Sequence, residues 1–127
     1  MGDYPVVAWD RRHGRLQVRF EPPGGPVHRA EVSTSVSLDL DPHGRVIDVD
    51  VARLPEPIAD RLTAYAAFRA RRVRDPAIAF DVDARMLWLH LGDGRRAGRI
   101  RCTGTVRLTF DGAALTSVEV RLLDPCG

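Results

Sequence analysis

Apolar and polar residues alternate with a period of two along most of this chain, which is the pattern of β-strands that bury one face. The clearest stretch is 36–51, where apolar residues alternate on both sides of a Pro-His-Gly-Arg turn at 42–45. This arrangement predicts one β-hairpin. The stretch 28–40 is long for one strand, and we expect a bend at 32–35. Further alternating stretches predict strands at 6–10, 16–20, 78–82, 86–91, 100–110 and 115–122.

One segment has a different period. After Pro57, apolar residues recur about every 3.6 residues, and the stripe that they form comprises Ile58, Leu62, Tyr65, Ala66 and Val73. Proline is favoured in the first turn of a helix, and the Asp75-Pro76 pair is typical of a helix end. The spacing therefore predicts a single helix at about 57–73.

The strands and turns that precede the helix recur in the same order after it. The segment 7–10 (VAWD) matches 78–81 (IAFD), and the later strands and turn aspartates match at offsets of 69 to 71 residues. We therefore predict one domain over 1–127, with internal repeats at 6–52 and 77–122 linked by the helix 57–73. Each repeat alone would leave an apolar face bare, so the two should share a core. The predicted fold is mainly β (α+β), with two β-meander repeats that form a sandwich or a barrel-like sheet.

A family pattern runs through the first repeat. It consists of Trp9-Asp10, then Leu16 and Val18, then the hairpin motif LDLDPHGRVIDV at 38–49. This pattern resembles a small bacterial β-meander family of unknown function, whose repeat has roughly this length. The second repeat carries the pattern more faintly, and the helix lies outside it. The resemblance implies a bacterial protein and a β-meander fold, and it implies no activity.

Composition narrows the classes of function. All 19 basic residues are arginine, and 17 acidic residues offset them to a net charge of +2, which argues against a nucleic-acid partner. No long apolar run exists, so we expect a cytoplasmic protein that is not embedded in a membrane. The two cysteines, Cys102 and Cys126, are not expected to form a disulfide framework, and no cofactor is expected.

The hairpin 36–51 carries four aspartates that alternate with its apolar residues, namely Asp39, Asp41, Asp48 and Asp50. Like charges on adjacent strands are unfavourable, so something should offset them. Three interpretations stay open: a solvated acidic face, pairing with arginine from another part of the protein, and a site for a hard cation such as Ca²⁺ or Mg²⁺.

A second candidate site is the outward face of the strand 86–91. Met86, Trp88 and His90 alternate with leucines at 87, 89 and 91, so the three side chains should point away from the core. An outward tryptophan beside methionine and histidine indicates a covered surface. The cover could be the helix, a second subunit or a small-molecule ligand.

These observations support two classes of function. We expect a small soluble non-catalytic binding or assembly protein of unknown partner, which self-associates as a homodimer. The alternative is a small enzyme or carrier, of the isomerase or cyclase kind, with a ligand cavity between the β repeats. Whether the protein is an enzyme is left open by its sequence.

Overall fold

The structure, a computed structural model, describes residues 5–21, 25, 27–70, 78–112 and 114–123, without the side chains of 66–70. These residues form eight strands and one helix. In chain order they are β1 (Val6–Asp10), β2 (Arg15–Arg19), β3 (Val27–Leu40), β4 (Val46–Val51), α1 (Glu56–Ala70), β5 (Ile78–Asp81), β6 (Met86–His90), β7 (Gly98–Asp111) and β8 (Ala114–Leu122).

The eight strands form one antiparallel sheet in the order β1-β2-β8-β7-β3-β4-β6-β5. The sheet curls into a half-barrel, so the predicted mainly β fold with one helix is confirmed, in its barrel-like form. Consecutive strands pair as four hairpins, β1–β2, β3–β4, β5–β6 and β7–β8, but β2 and β3, β4 and β5, and β6 and β7 are not neighbours. Instead β2 pairs with β8, and β4 pairs with β6. The two halves of the chain are therefore joined within one sheet.

The centre of the sheet is the pair of long strands β3 and β7. Each has 14 residues, and they pair along their whole length from Val27↔Asp111 to Leu40↔Gly98. The strand β3 is continuous, so the bend expected at 32–35 is not seen. The full-length partner explains this, since each residue of β3 has a register position on β7. The register shifts in this region fall later, between Asp39 and Leu40 against β4.

The strand order has an internal symmetry. Exchanging β1, β2, β3 and β4 with β5, β6, β7 and β8 reproduces the same order read from the other edge. Thr34 and Gly104, which differ by 70 in number, face each other on the two central strands. The register shift between Thr109 and Phe110 lies 70 residues after the one in β3. The predicted internal repeat stays a prediction, and these coincidences are what it would produce.

The core lies on the inner face of the curled sheet, and α1 covers it. Ile58, Leu62 and Tyr65 from the helix join the buried cluster that also contains Leu87, Leu89 and the apolar residues of β3, β7 and β8. Glu56 stands in the first helical turn, where the exposed N–H groups favour a negative charge. The helix begins one residue before the predicted start. Residues 71–73, Pro76 and the side chain of Ala66 lie outside the described part of the chain.

The structure bears on two expectations, one about the membrane and one about the cysteines. Within the described residues, no helix is both long and apolar enough to cross a membrane. Cys102 in β7 is disulfide-bonded, so the expectation that the cysteines form no disulfide is wrong. The other cysteine of the sequence, Cys126, lies outside the described residues. Spacing could not show this bond, because it depends on which strands become neighbours.

Candidate functional site

The outer face of the sheet, opposite the core, holds the side chains that the sequence singles out. Asp39 on β3 faces Asp48 on β4, Asp48 faces His90 on β6, and Arg99 on β7 faces Asp39 from the other side. Asp93 follows β6 and also reaches His90. We refer to Arg99, Asp39, Asp48, His90 and Asp93 as the ion ladder, because these charged side chains follow one another across four adjacent strands, β7, β3, β4 and β6.

The buried member of the ion ladder is Asp39, which is 8% exposed. Arg99 donates from Nε to Asp39 Oδ1 at 2.7 Å and from a terminal nitrogen to Oδ2 at 3.4 Å. This two-point contact raises the pKa of the Arg99 guanidinium. Asp39 also faces another carboxylate, Asp48, and the contact with Arg99 offsets the repulsion between the two. The interpretation of the acidic hairpin as an arginine-paired face therefore holds for Asp39.

His90 bridges two carboxylates. Its Nδ1 lies 2.9 Å from Asp48 Oδ1, and its Nε2 lies 2.9 Å from Asp93 Oδ1. Both contacts are satisfied at once only by the imidazolium form, which carries a hydrogen on each nitrogen. The hydrogen bond to Asp48, followed by that to Asp93, raises the pKa of His90 above its ordinary 6.5. Neither ring nitrogen is then available to accept a proton.

The remaining two aspartates of the hairpin have different surroundings. Burial, and next the negative charge of Asp39, raise the pKa of Asp50. Asp41 does not share this face: its Oδ1 accepts hydrogen bonds from the backbone N–H groups of His43 and Arg45, at 2.8 and 2.9 Å. The bond from Arg45 is the main reason that the pKa of Asp41 is lowered. The expected face of four aspartates is wrong in this respect, because the register shift after Asp39 turns Asp41 into a turn cap.

Trp88 and Met86 lie on the outer face as predicted. Both are half-buried, and Trp88 stacks on His90 with ring centroids 5.4 Å apart. Ile58, Leu62 and Tyr65 of α1 belong to the same buried cluster as Leu87 and Leu89, which lie on the face opposite Trp88. The described part of α1 therefore does not cover Trp88. The imidazolium of His90 thus provides part of the cover that the sequence predicts for this tryptophan.

The ion ladder does not have the arrangement of a metal site. In the part of the chain that the structure describes, no group of three or more histidine, cysteine or acidic side chains is placed to hold a metal ion. The carboxylate of Asp39 accepts hydrogen bonds from Arg99, and one oxygen each of Asp48 and Asp93 bonds His90. These oxygens already have partners within the protein. The proposed cation site at the four aspartates therefore has no support in this geometry.

An open cleft of about 600 Å³ lies at the other end of the outer face, and the sequence did not predict it. Strands of both halves line it, since β1, β2 and β3 precede the helix and β7 and β8 follow it. Three arginines and three acidic residues contribute charge, together with one glutamine and one threonine. The polar lining comprises Asp10, Arg15, Gln17, Glu31, Thr105, Arg107, Glu119 and Arg121.

The acidic residues of the cleft already have partners. Arg107 contacts Glu31 at 3.1 Å and Glu119 at 4.0 Å. Asp10 bonds His13 at 2.7 Å, and this hydrogen bond is the main cause of its lowered pKa. No sequence signal could have identified the cleft, because it depends on the pairing of β2 with β8, whose residues are about a hundred positions apart.

Comparisons with known proteins do not identify the chain. No protein-family model matches it, and searches of curated proteins and of solved structures found no significant match. The resemblance to a bacterial β-meander family therefore stays a prediction. Function has to be inferred from the outer face itself.

Proposed function

We propose that this chain is a small non-catalytic binding protein that forms a homodimer through the outer face of its sheet. The observation that supports this most is the separation of charge on that face. The end with the ion ladder carries Asp39, Asp48, Asp50 and Asp93 against Arg99, Arg101 and His90. The end with the cleft carries Arg15, Arg19, Arg29, Arg107 and Arg121 against Asp10, Glu31 and Glu119.

Two such faces are complementary when one copy is reversed relative to the other. A twofold axis would then bring the acidic end of each subunit onto the basic end of its partner, twice per dimer. Trp88 is a suitable apolar anchor, since it is aromatic, half-buried and uncovered by the described helix. The non-catalytic part of the proposal is supported by His90, whose two ring nitrogens are engaged with carboxylates.

Light scattering coupled to gel filtration tests the dimer. The wild type should elute at twice 14.1 kDa in low salt and shift towards the monomer in high salt, because salt screens exposed charge. Trp88→Arg should be monomeric in both. Val82→Arg is the matched control, since Val82 is 56% exposed in a turn away from this face, and it should remain dimeric. A monomeric wild type in low salt, or a dimeric Trp88→Arg, would contradict the proposal.

A second candidate function is a carrier of a small ligand. The cleft supports it, because the cavity is within the size range of ligand sites and is lined by both halves of the chain. The cavity that the alternative function expects between the β repeats stays a prediction, and the cleft is a candidate for it with different residues. Trp88, His90 and the four aspartates are not among those that line it.

The cytoplasmic location stays a prediction, and one observation weighs against it. Cys102 is disulfide-bonded, and structural disulfides persist mainly in oxidising compartments. Cell fractionation of the native host under thiol-blocking conditions would separate the two possibilities. Recovery of reduced protein in the cytosol would support the prediction, and recovery of oxidised protein outside the cytosol would contradict it.

A further inference from the structure

The cleft contains two arginines that no described residue neutralises. Arg15 on β2 and Arg121 on β8 are direct partners across the strand pair. Within the described residues, neither side chain makes a salt bridge or a hydrogen bond, whereas Arg99 and Arg107 each bind a carboxylate. Two like charges at opposed positions of a sheet are destabilising. Folding therefore brings together two cations whose charge is left uncompensated.

The carboxylates nearest in register are already engaged. Asp10 faces Arg15 from β1, but its carboxylate bonds His13 through both the ring and the backbone N–H. Glu119 precedes Arg121 on the same outward face, and it accepts from Gln17 at 3.4 Å and contacts Arg107. The acidic groups of the cleft are thus committed elsewhere.

A hydroxyl completes the group. Thr105 on β7 faces Arg121, and it lines the same cleft. Ala8 and the exposed Leu123 add apolar surface beside these polar groups. An arginine pair with an adjacent hydroxyl is suited to an oxyanion, because the guanidinium groups offer several N–H donors in fixed planes.

The sheet itself does not require the arginine pair. In the internal symmetry of the strand order, the positions that correspond to Arg15 and Arg121 are Met86 and Ala52, 71 after and 69 before them. That end of the sheet forms the equivalent β4–β6 pair with uncharged residues at the corresponding two positions. The arginines are therefore a property of the cleft and not of the fold.

We propose that Arg15, Arg121 and Thr105 form a binding site for a small organic anion, a carboxylate or phosphate monoester whose apolar part lies against Ala8 and Leu123. This inference depends on the carrier function proposed above. It is an alternative to the reversed dimer at this end of the sheet, because the acidic end of the partner would cover the same cleft. The site binds its ligand without any covalent step. The guanidinium groups supply charge and orientation, and the anion removes the repulsion between them.

Isothermal titration of the full-length protein with phenyl phosphate tests the site, with phenol as the uncharged probe. Saturable binding of one phenyl phosphate per chain is expected, and phenol should bind at least about tenfold more weakly, because it lacks the charged acceptor. Arg15→Gln and Arg121→Gln should each weaken phenyl phosphate binding about tenfold or more. Arg45→Gln, an exposed arginine in the turn between β3 and β4 and outside the cleft, is the matched control and should leave it unchanged.

Several results would overturn the site. Equal affinity for phenol and phenyl phosphate would contradict the anion site, while the carrier function of the cleft would remain. Equal weakening by Arg45→Gln would show attraction by net charge only. Absence of saturable binding of either probe up to about 10 mM would remove the carrier function as well. Loss of fold is checked by thermal melting, and the cleft variants should melt at or above the wild-type temperature, because each removes one of two repelling charges.

Discussion

Replacing Arg99 with glutamine is the sharpest test of how the outer face is held together. The substitution removes the guanidinium that contacts Asp39 through two nitrogens. Asp39 is 8% exposed, and it faces Asp48 across the strand pair. The variant would therefore leave a nearly buried carboxylate with no cation, beside a second carboxylate.

The size of the effect follows from burial. A hydrogen bond to a charged group contributes about 1.5 to 3 kcal/mol, and breaking a fully buried ion pair costs about 3 to 5 kcal/mol. The Arg99 side chain is 38% exposed, so solvent screens part of the interaction and the lower range applies. We expect Arg99→Gln to lower the free energy of unfolding by about 2 kcal/mol at neutral pH. The melting temperature should fall by about 8 °C, since about 1 kcal/mol corresponds to about 4 °C at this size.

The same strand supplies a matched control. Arg107 contacts Glu31 and Glu119, but all three side chains are between 41% and 52% exposed. Arg107→Gln should therefore cost no more than about 0.5 kcal/mol. Urea denaturation of both variants measures the difference. Adding Asp39→Asn to Arg99→Gln should recover about 1 kcal/mol, because the uncompensated charge is gone.

Equal costs for Arg99→Gln and Arg107→Gln would refute this reasoning. Such a result would mean that solvent satisfies Asp39 without its arginine. The interpretation of the hairpin as a simple solvated acidic face would then replace the ion ladder.

Three further predictions concern single groups. NMR titration should place the pKa of His90 in the folded protein above 6.5. The stabilisation that His90 gives is then complete below pH 6.5 and is lost as the pH rises through the folded pKa. A folded pKa at or below 6.5 would contradict this prediction. Asp50→Asn should raise the free energy of unfolding by about 0.5 kcal/mol at pH 7. Below pH 3.8 Asp50 is protonated in the folded and the unfolded protein, so the substitution should give no gain there. Urea denaturation at the two pH values measures the difference. Cys102→Ser, or reduction, should cost about 2 to 4 kcal/mol, and identical melts with and without reductant would exclude a stabilising disulfide.

The local structure of the chain could be predicted because it depends on neighbouring residues. Alternation in the stretch 86–91 correctly places Leu87 and Leu89 in the core and Trp88 and His90 outside. The helix 56–70 was predictable from its change of period. In both cases the buried face repeats within a few residues, so the information is contained in a short window.

Features that depend on strand order could not be predicted. Asp39 and Asp41 look equivalent by alternation, yet a register shift makes one an ion-pair partner and the other a turn cap. The arginine pair of the cleft exists only because β2 lies beside β8. The alternation of apolar and polar residues predicts which face of the sheet a side chain occupies. It does not predict which other strand lies beside the strand that carries it. That choice is made by the long β3–β7 pair and by the closure of the half-barrel.

The central claim is that the outer face of the sheet is a binding surface that a second copy of the chain covers. Its most direct test is the indole N–H signal of Trp88 in NMR spectra recorded over a dilution series. The protein has two tryptophans, and Trp9 packs towards the core at the other end of the sheet. We predict that the Trp88 signal shifts with concentration, and that the signal of Trp9, whose ring packs against the core, shifts less. A stationary Trp88 signal across the range in which the protein associates would contradict the claim.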